Sequence, residues 1–165
     1  MKVTSDDFEK ITHNLKIVFV KHSAITLIPN QDGSFYYLPQ KNYNNKNHYP
    51  YINDIDETTL FCKFKPNLPK TKGVYLWVDD EDEIIYIGEG ENLYSRFNNG
   101  YGNISPRNCY KGGQSTNVKM NRVALSYFNN NRTIDIYVCE TNEHKRIEHE
   151  LLSVINTQYN IQNNK

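Results

Sequence analysis

The sequence has few of the residues that define several common protein classes. It contains only three cysteines, Cys62, Cys109 and Cys139, and they are far apart. No pair has the CxxC spacing of a zinc site, and an odd number does not suit a complete disulfide framework. The five histidines do not form a ligand cluster either. These absences argue against a zinc finger or a disulfide scaffold, and we expect a reducing, cytoplasmic setting.

Long apolar runs and net charge are also missing. No apolar segment approaches the 18 or so residues of a membrane helix, so no membrane association is expected. The opening stretch MKVTSDDFEK carries charges where a signal peptide would be apolar. Nineteen basic and nineteen acidic residues give a formal net charge of zero. The overall charge therefore argues neither for nor against a nucleic-acid partner.

The charges are unevenly distributed along the chain. An acidic block, DDEDE, begins at Asp79. Between Asn92 and Ile134 there is no acidic residue, and the basic residues of this stretch are Arg96, Arg107, Lys111, Lys119, Arg122 and Arg132. A basic middle in a neutral chain favours a local anion-binding surface, although an ordinary mixed surface would look similar.

Residues 1–70 are predicted to be an N-terminal elaboration of a single core. Apolar residues at helical spacing predict a first helix that begins near Ser5. The segments AITLIP and SFYYLP flank NQDG and predict a β-hairpin with glycine at the turn. An Asn- and Tyr-rich loop, roughly residues 39–56, follows and is rich in polar residues.

Residues 71–165 predict a compact α+β core. GVYLWV, the acidic turn and EIIYIG form a hairpin, and the later segments add two helices, a third strand and a final amphipathic helix. The order β-β-α-α-β-α predicts a small antiparallel three-stranded sheet flanked by helices. A turn centred on Asp80 and Glu81 would place Tyr75 directly opposite Tyr86. Asn117 is predicted to cap the helix that follows the basic loop.

Four elements of this core recur in the order and spacing of a known family. These are GVY at 73–75, YIG at 86–88, Arg96 ten residues after Tyr86, and EHELLSVINTQYN from Glu148 to Asn160. Together they resemble the GIY-YIG nucleases, over roughly residues 72–161. The resemblance implies a hydrolase that cuts DNA phosphodiester bonds with a divalent metal, Mg²⁺ or Mn²⁺.

The resemblance also implies roles for individual residues. Tyr75 and Tyr86 would orient water, one of them as general base, and a phenol with a pKa of about 10 would need a nearby cation for this. Arg96 would bind the scissile phosphate. Glu148 would hold the metal with waters and phosphate oxygens. Supporting roles fall to Gly88, which would let backbone approach the phosphate, to Asn160, which would brace the site, and to Tyr101, which would supply a further catalytic hydroxyl.

Each of these residues also has an ordinary structural interpretation. Tyr75 and Tyr86 could be a cross-strand aromatic pair, and Arg96 a solvated helix residue. For the metal-binding carboxylate, Glu148 is favoured over Glu150 because it lies within the apolar arc of its helix, where an unpaired carboxylate is costly. Glu89, directly after YIG, departs from the family, which often has a lysine, serine or glutamine there.

The basic loop and the helix after it are predicted to contact double-stranded DNA. Basic side chains would meet phosphates and polar ones would lie near base edges. The residues predicted for this surface are Arg107, Lys111, Gln114, Ser115, Asn117, Lys119 and Arg122, together with Gly88. A solvated loop packed on the sheet is the alternative.

A compact chain with an embellished core is most similar to the restriction-enzyme branch of the family. By that analogy we expect a type II restriction-like endonuclease, a homodimer, and a cognate DNA methyltransferase encoded nearby. The alternatives are a homing or repair-type nuclease, a non-catalytic or nonspecific nucleic-acid-binding module, and a protein-interaction role for the N-terminal region.

Overall fold

The computed structural model describes residues 5–160 and has a mixed α+β architecture. Its helices in this range are α1 (Ser5–Leu15), α2 (Leu93–Arg96), α3 (Ser115–Asn129) and α4 (His144–Val154). Its strands are β1 (Val20–Ala24), β2 (Gly73–Asp79), β3 (Ile84–Gly90) and β4 (Ile134–Glu140). A π-helical turn, Phe97–Tyr101, follows α2, and 3-10 turns cover Pro39–Asn42 and Pro106–Cys109. From β2 onward the order is the predicted β-β-α-α-β-α.

The strands form one antiparallel sheet in the order β1-β4-β2-β3. The three predicted strands are present, and the α+β class is confirmed. The predicted count of three strands was wrong, because β1 adds a fourth at the edge beside β4. The five residues of β1, VKHSA, are mostly exposed, so the strand lacks the apolar alternation that predicts strands from sequence.

The predicted N-terminal hairpin is also corrected. Its turn exists, with Gly33 at a φ of +84° and the Asn30 N–H bonded to the Ser34 carbonyl. However, the flanking segments pair with the 61–64 stretch, since Leu27 bridges Phe64 and Tyr37 bridges Phe61. The sequence signal identified the turn and misassigned the pairing partners.

The described residues form two compact units that interleave along the chain. The sheet unit contains residues 5–24, 67–94 and 132–160, and the loop unit contains residues 25–66 and 95–131. The sequence instead predicted consecutive parts divided at residue 70. The assignment of residues 71–165 to a nuclease core stays a prediction.

In the sheet unit, α4 packs on one face of β2 and β3. Its core there consists of Val74, Leu76, Ile87, Ile147, Leu151 and Ile155, with α1 residues packed beside them. The apolar arc of α4 is thus directed at the sheet, as the helical spacing predicts. The opposite face of β2 and β3 carries Tyr75, Trp77 and Tyr86, all of which are buried.

The β2–β3 register differs from the predicted one. Tyr75 lies opposite Gly88, and Trp77 lies opposite Tyr86, with their ring centroids 6.3 Å apart. Tyr75 and Tyr86 are therefore not direct partners, and the predicted pairing was wrong. Because the shift is two residues, both tyrosines still share one face of the hairpin as diagonal neighbours.

The loop unit is built around buried aromatic and aliphatic side chains next to α3. Its core contains Phe61, Ile104, Cys109, Tyr110 and Val118, surrounded by four partly buried tyrosines at 37, 43, 49 and 51. Asn121 is wholly buried and joins two segments, because its amide bonds both backbone groups of Cys62 and the Tyr101 carbonyl. Over residues 5–160, no helix has the length and apolarity needed to cross a membrane.

Candidate active site

The face of the β2–β3 hairpin that carries the motif tyrosines is closely packed. Tyr75 is 1% exposed, and its ring lies over Gly88. A Cβ at position 88 would lie 2.6 Å from Tyr75 Cε2 and closer still to its Cζ and hydroxyl. The glycine is therefore required by the tyrosine ring. Its predicted role, backbone approach to a phosphate, has no support in this geometry because the ring fills that space.

Asn160 braces the strand that carries Tyr86 and Gly88. Its side chain bonds both backbone groups of Ile87, accepting from the N–H at 2.9 Å and donating to the carbonyl at 2.8 Å. The Thr157 hydroxyl donates to the same Asn160 oxygen. Since β3 is an edge strand, Asn160 supplies the pairing that a neighbouring strand would otherwise provide. The hydrogen-bonding part of the predicted bracing role is present, and its effect on catalysis stays a prediction.

Glu148 lies on α4 beside two ionisable groups of the same unit. Burial, the first cause, and then the Glu89 carboxylate raise the pKa of Glu148 to about 7, while His144 opposes the shift. Glu89 itself is hydrogen-bonded by the His144 ring at Nδ1, and His144 Nε2 lies 3.4 Å from Glu91 Oε1. His144 thus lies between two carboxylates, that of Glu89 in β3 and that of Glu91 just after the strand.

This arrangement explains the unusual residue after YIG. Glu89 lies opposite Val74, which packs against α4, so its carboxylate reaches His144 at the helix start. His144 was not predicted to belong to this site. The available signal was its position four residues before Glu148, which places both on neighbouring turns of one helix.

Glu148 is the residue predicted to hold a divalent cation. A half-buried carboxylate with a raised pKa and a second carboxylate nearby would be stabilised by added positive charge. Among residues 5–160, no three His, Cys, Asp or Glu side chains are placed to hold a metal ion together. The predicted metal role of Glu148 stays a prediction.

Arg96 lies in the loop unit at the end of α2. Its guanidinium stacks 4.0 Å above the ring of Tyr101 and donates from Nη1 to the side-chain oxygen of Asn117. Tyr101 is wholly buried and also makes an edge contact with Phe97. The structure gives Tyr101 the role of a platform for Arg96, and its predicted catalytic hydroxyl role stays a prediction.

The predicted cap at Asn117 was wrong. The helix α3 starts two residues earlier, and Asn117 is only 2% exposed within its first turn. Its amide nitrogen donates to Gln114 and its oxygen accepts from Arg96. A buried amide engaged in this way is poorly placed to read base edges, so the geometry does not favour the predicted DNA contact for this residue.

The other predicted DNA-contact residues differ in how they are placed. Arg107 stacks 4.0 Å over Tyr49 and donates to the carbonyls of Tyr110 and Lys111, so it braces its own loop. Lys119 is half-buried, and burial lowers its pKa. The exposed members of the set are Lys111, Gln114, Ser115 and Arg122.

An open groove of about 590 Å³ in the loop unit was not predicted. It runs along the outer face of α3, and Arg122 supplies its positive charge. The Arg122 Nη1 donates to the Asp54 carbonyl at 3.3 Å. The groove lies beside the acidic segment around Asp54 and Asp56, which makes it a poor match for a phosphate.

Comparison with known proteins finds several relatives of part of this chain. UvrABC system protein C of Mycoplasmopsis agalactiae is 29% identical over 108 residues, which are 65% of this chain and 16% of that protein. The protein of the same name from Legionella pneumophila is 27% identical over 111 residues, 67% of this chain and 16% of the relative. That of Carboxydothermus hydrogenoformans is 50% identical over 38 residues, 23% of this chain and 6% of the relative.

The chain is similar to UvrC. The UvrC relatives contain a GIY-YIG nuclease domain, so these matches support the resemblance to GIY-YIG nucleases. The chain spans only 16% of the length of the first two relatives. No protein-family model matches the chain, and no solved structure matches it.

Proposed function

We propose that this protein is a metal-dependent nuclease that hydrolyses phosphodiester bonds in double-stranded DNA. The observation that carries the proposal is the composition of the sheet unit. It holds Tyr75 and Tyr86 on one face of a single hairpin, a strand braced by Asn160, and the Glu148 carboxylate with its raised pKa. The similarity to UvrC supports a nuclease rather than an unrelated α+β protein.

The reaction needs an attacking water, a base, stabilisation of the phosphoryl oxygens and help for the leaving oxygen. In our proposal the tyrosines orient the water, and one accepts its proton. Arg96 donates to a phosphoryl oxygen, and its plane is fixed by Tyr101 and Asn117. A Mg²⁺ or Mn²⁺ ion held by Glu148 would supply Lewis-acid stabilisation of the phosphoryl group.

The biological role has two candidates. A restriction-like enzyme with a homodimer and a companion methyltransferase stays a prediction by analogy with one branch of the GIY-YIG family. A repair-type role is favoured by a specific observation, the similarity to UvrABC system proteins in three organisms. We therefore propose DNA cleavage as the activity, with both roles as hypotheses.

A cleavage assay tests the activity. Purified protein is incubated with supercoiled plasmid and Mg²⁺ or Mn²⁺, and nicked and linear products are measured over time. We expect metal-dependent cutting that Glu148→Gln abolishes. Glu150→Gln is the matched control, since Glu150 lies on the same helix, pairs with Arg146 and should leave cutting unchanged.

Two results would contradict this proposal. Absence of cutting with either metal, on modified and damaged DNA as well as plain plasmid, would refute the nuclease function. Cutting that survives Glu148→Gln would refute the metal role of that residue. Discrete fragments would favour the restriction-like role, whereas cutting confined to damaged DNA would favour the repair-type role.

A further inference from the structure

The guanidinium of Arg96 is held on three sides within the loop unit. The Tyr101 ring lies 4.0 Å beneath it, and the Asn117 oxygen accepts a hydrogen bond from Nη1. On the third side is Gly100, where an added Cβ would lie 2.9 Å from Arg96 Nη1 and 3.3 Å from Asn117 Oδ1. A ring face and an in-plane acceptor together fix both the tilt and the rotation of a planar guanidinium.

The direction of the Asn117 amide is itself determined. Its nitrogen donates to the Gln114 side-chain oxygen at 2.9 Å, which turns its oxygen toward Arg96. Asn117 is 2% exposed, so water does not compete for these bonds. Gln114 and Asn117 therefore form a short chain of hydrogen bonds that ends on the guanidinium.

We propose that Asn117, oriented by Gln114, is the positioning residue that holds the Arg96 guanidinium for its substrate phosphate. This inference rests on the proposed nuclease function. It assigns Asn117 a role in orienting a cation, in place of the contact with DNA bases predicted from its sequence. A single misplaced phosphate ligand is a large perturbation, since loss of one such donor lowers kcat by about a hundredfold or more.

The neutrality of Asn117 is part of the role. An amide oxygen orients Arg96 without adding a negative charge beside it. A carboxylate at the same position would keep the hydrogen bond and neutralise the charge, in the manner of an arginine–carboxylate pair. An aspartate has nearly the same volume and keeps the acceptor for Arg96, but it loses the bond that the Asn117 nitrogen donates to Gln114. It therefore tests the charge at this position with the side-chain volume held almost constant.

The experiment compares Asn117→Asp and Asn117→Ala with wild type. For Asn117→Asp we expect a protein that still unfolds cooperatively on heating, with kcat for plasmid nicking reduced by about a hundredfold. Asn117→Ala removes one hydrogen bond from the guanidinium. Modification of Arg96 by phenylglyoxal, measured by peptide mass mapping, should therefore be about fivefold faster, the factor that one lost hydrogen bond represents.

Thr116→Asp is the matched control. It adds the same charge one residue away, at a partly exposed position outside the hydrogen-bond chain from Gln114 to Arg96, and should change kcat by less than about fivefold. The proposal is overturned if Asn117→Ala leaves the Arg96 modification rate unchanged, or if Asn117→Asp cuts as well as Thr116→Asp. If wild type does not cut DNA, the nuclease function fails, and the modification rates still decide whether Asn117 positions Arg96.

Discussion

Gly88→Ala is the substitution whose effect follows most directly from the structure. The new Cβ would lie 2.6 Å from Tyr75 Cε2 and even closer to the end of the ring. Tyr75 is 1% exposed, so its ring cannot turn out toward solvent without displacing its neighbours. Either the hairpin strands must separate locally or the ring must leave its preferred rotamer.

Overpacking of this kind costs about 1–3 kcal/mol, and the rigid surroundings place this site near the upper end. A glycine-to-alanine change within a strand would otherwise be favourable by roughly 0.5–1 kcal/mol. The measured loss should therefore be about 2 kcal/mol. For a chain of this length that corresponds to a fall in melting temperature of roughly 5 °C.

A double-mutant cycle identifies the cause. Tyr75→Leu removes the atoms that the new Cβ would meet, so Gly88→Ala in this background should cost less than about 0.5 kcal/mol. Free energies of unfolding are measured by urea denaturation for the wild type, both single variants and the double variant. The interaction energy is the cost of Gly88→Ala with tyrosine at position 75 minus its cost with leucine there.

Gly33→Ala serves as the control. Its Cβ would meet no atom within 4 Å, and its φ of +84° makes the substitution costly for a backbone reason alone. That cost should be the same with tyrosine or leucine at position 75. Equal costs of Gly88→Ala in the two backgrounds would refute the argument that the Tyr75 ring is what requires Gly88.

Three further predictions concern other single residues. Asn121→Ala removes the partners of buried polar groups, including the N–H and the carbonyl of Cys62. It should therefore lower the free energy of unfolding by about 3 kcal/mol in urea denaturation, and a loss below about 1 kcal/mol would contradict this. Asn160→Ala should speed hydrogen exchange at the Ile87 amide, and unchanged protection would show that the brace is dispensable. Burial raises the pKa of Glu148 from 4.5 to about 7, so the folded state binds the extra proton in that window and stability falls as pH rises through it. Glu148→Gln should therefore raise the melting temperature relative to wild type more at pH 8 than at pH 5, and an equal difference at both would count against the shift.

Local pattern was sufficient for much of the fold. The alternation in GVYLWV and EIIYIG identified β2 and β3, and apolar spacing identified α1, α3 and α4. These patterns involve only residues close together in sequence, so they predict the elements without information about the rest of the chain. The strand β1 escaped prediction because its residues are mostly exposed and its partner, β4, lies more than a hundred residues away.

For the candidate site, the sequence by itself identified the candidate residues and placed the two motif tyrosines on one face of the hairpin. The register was decided by tertiary structure. One residue of the shift comes from the turn, where Asp79 pairs with Glu83, and the other from the bulge between Trp77 and Val78. Neither feature leaves an apolar pattern in the sequence, since a turn and a bulge are set by backbone geometry.

The supports of the site were also decided only by folding. The sequence marks Arg96, but its acceptor Asn117 is 21 residues away and resembles a helix cap when seen in isolation. The partner of Glu89, His144, is 55 residues away. Periodicity carries information over one or two turns of a helix, whereas these contacts depend on where separated segments meet. Motif residues can therefore be identified from the sequence alone, whereas the hydrogen bonds that orient them are determined by the tertiary structure.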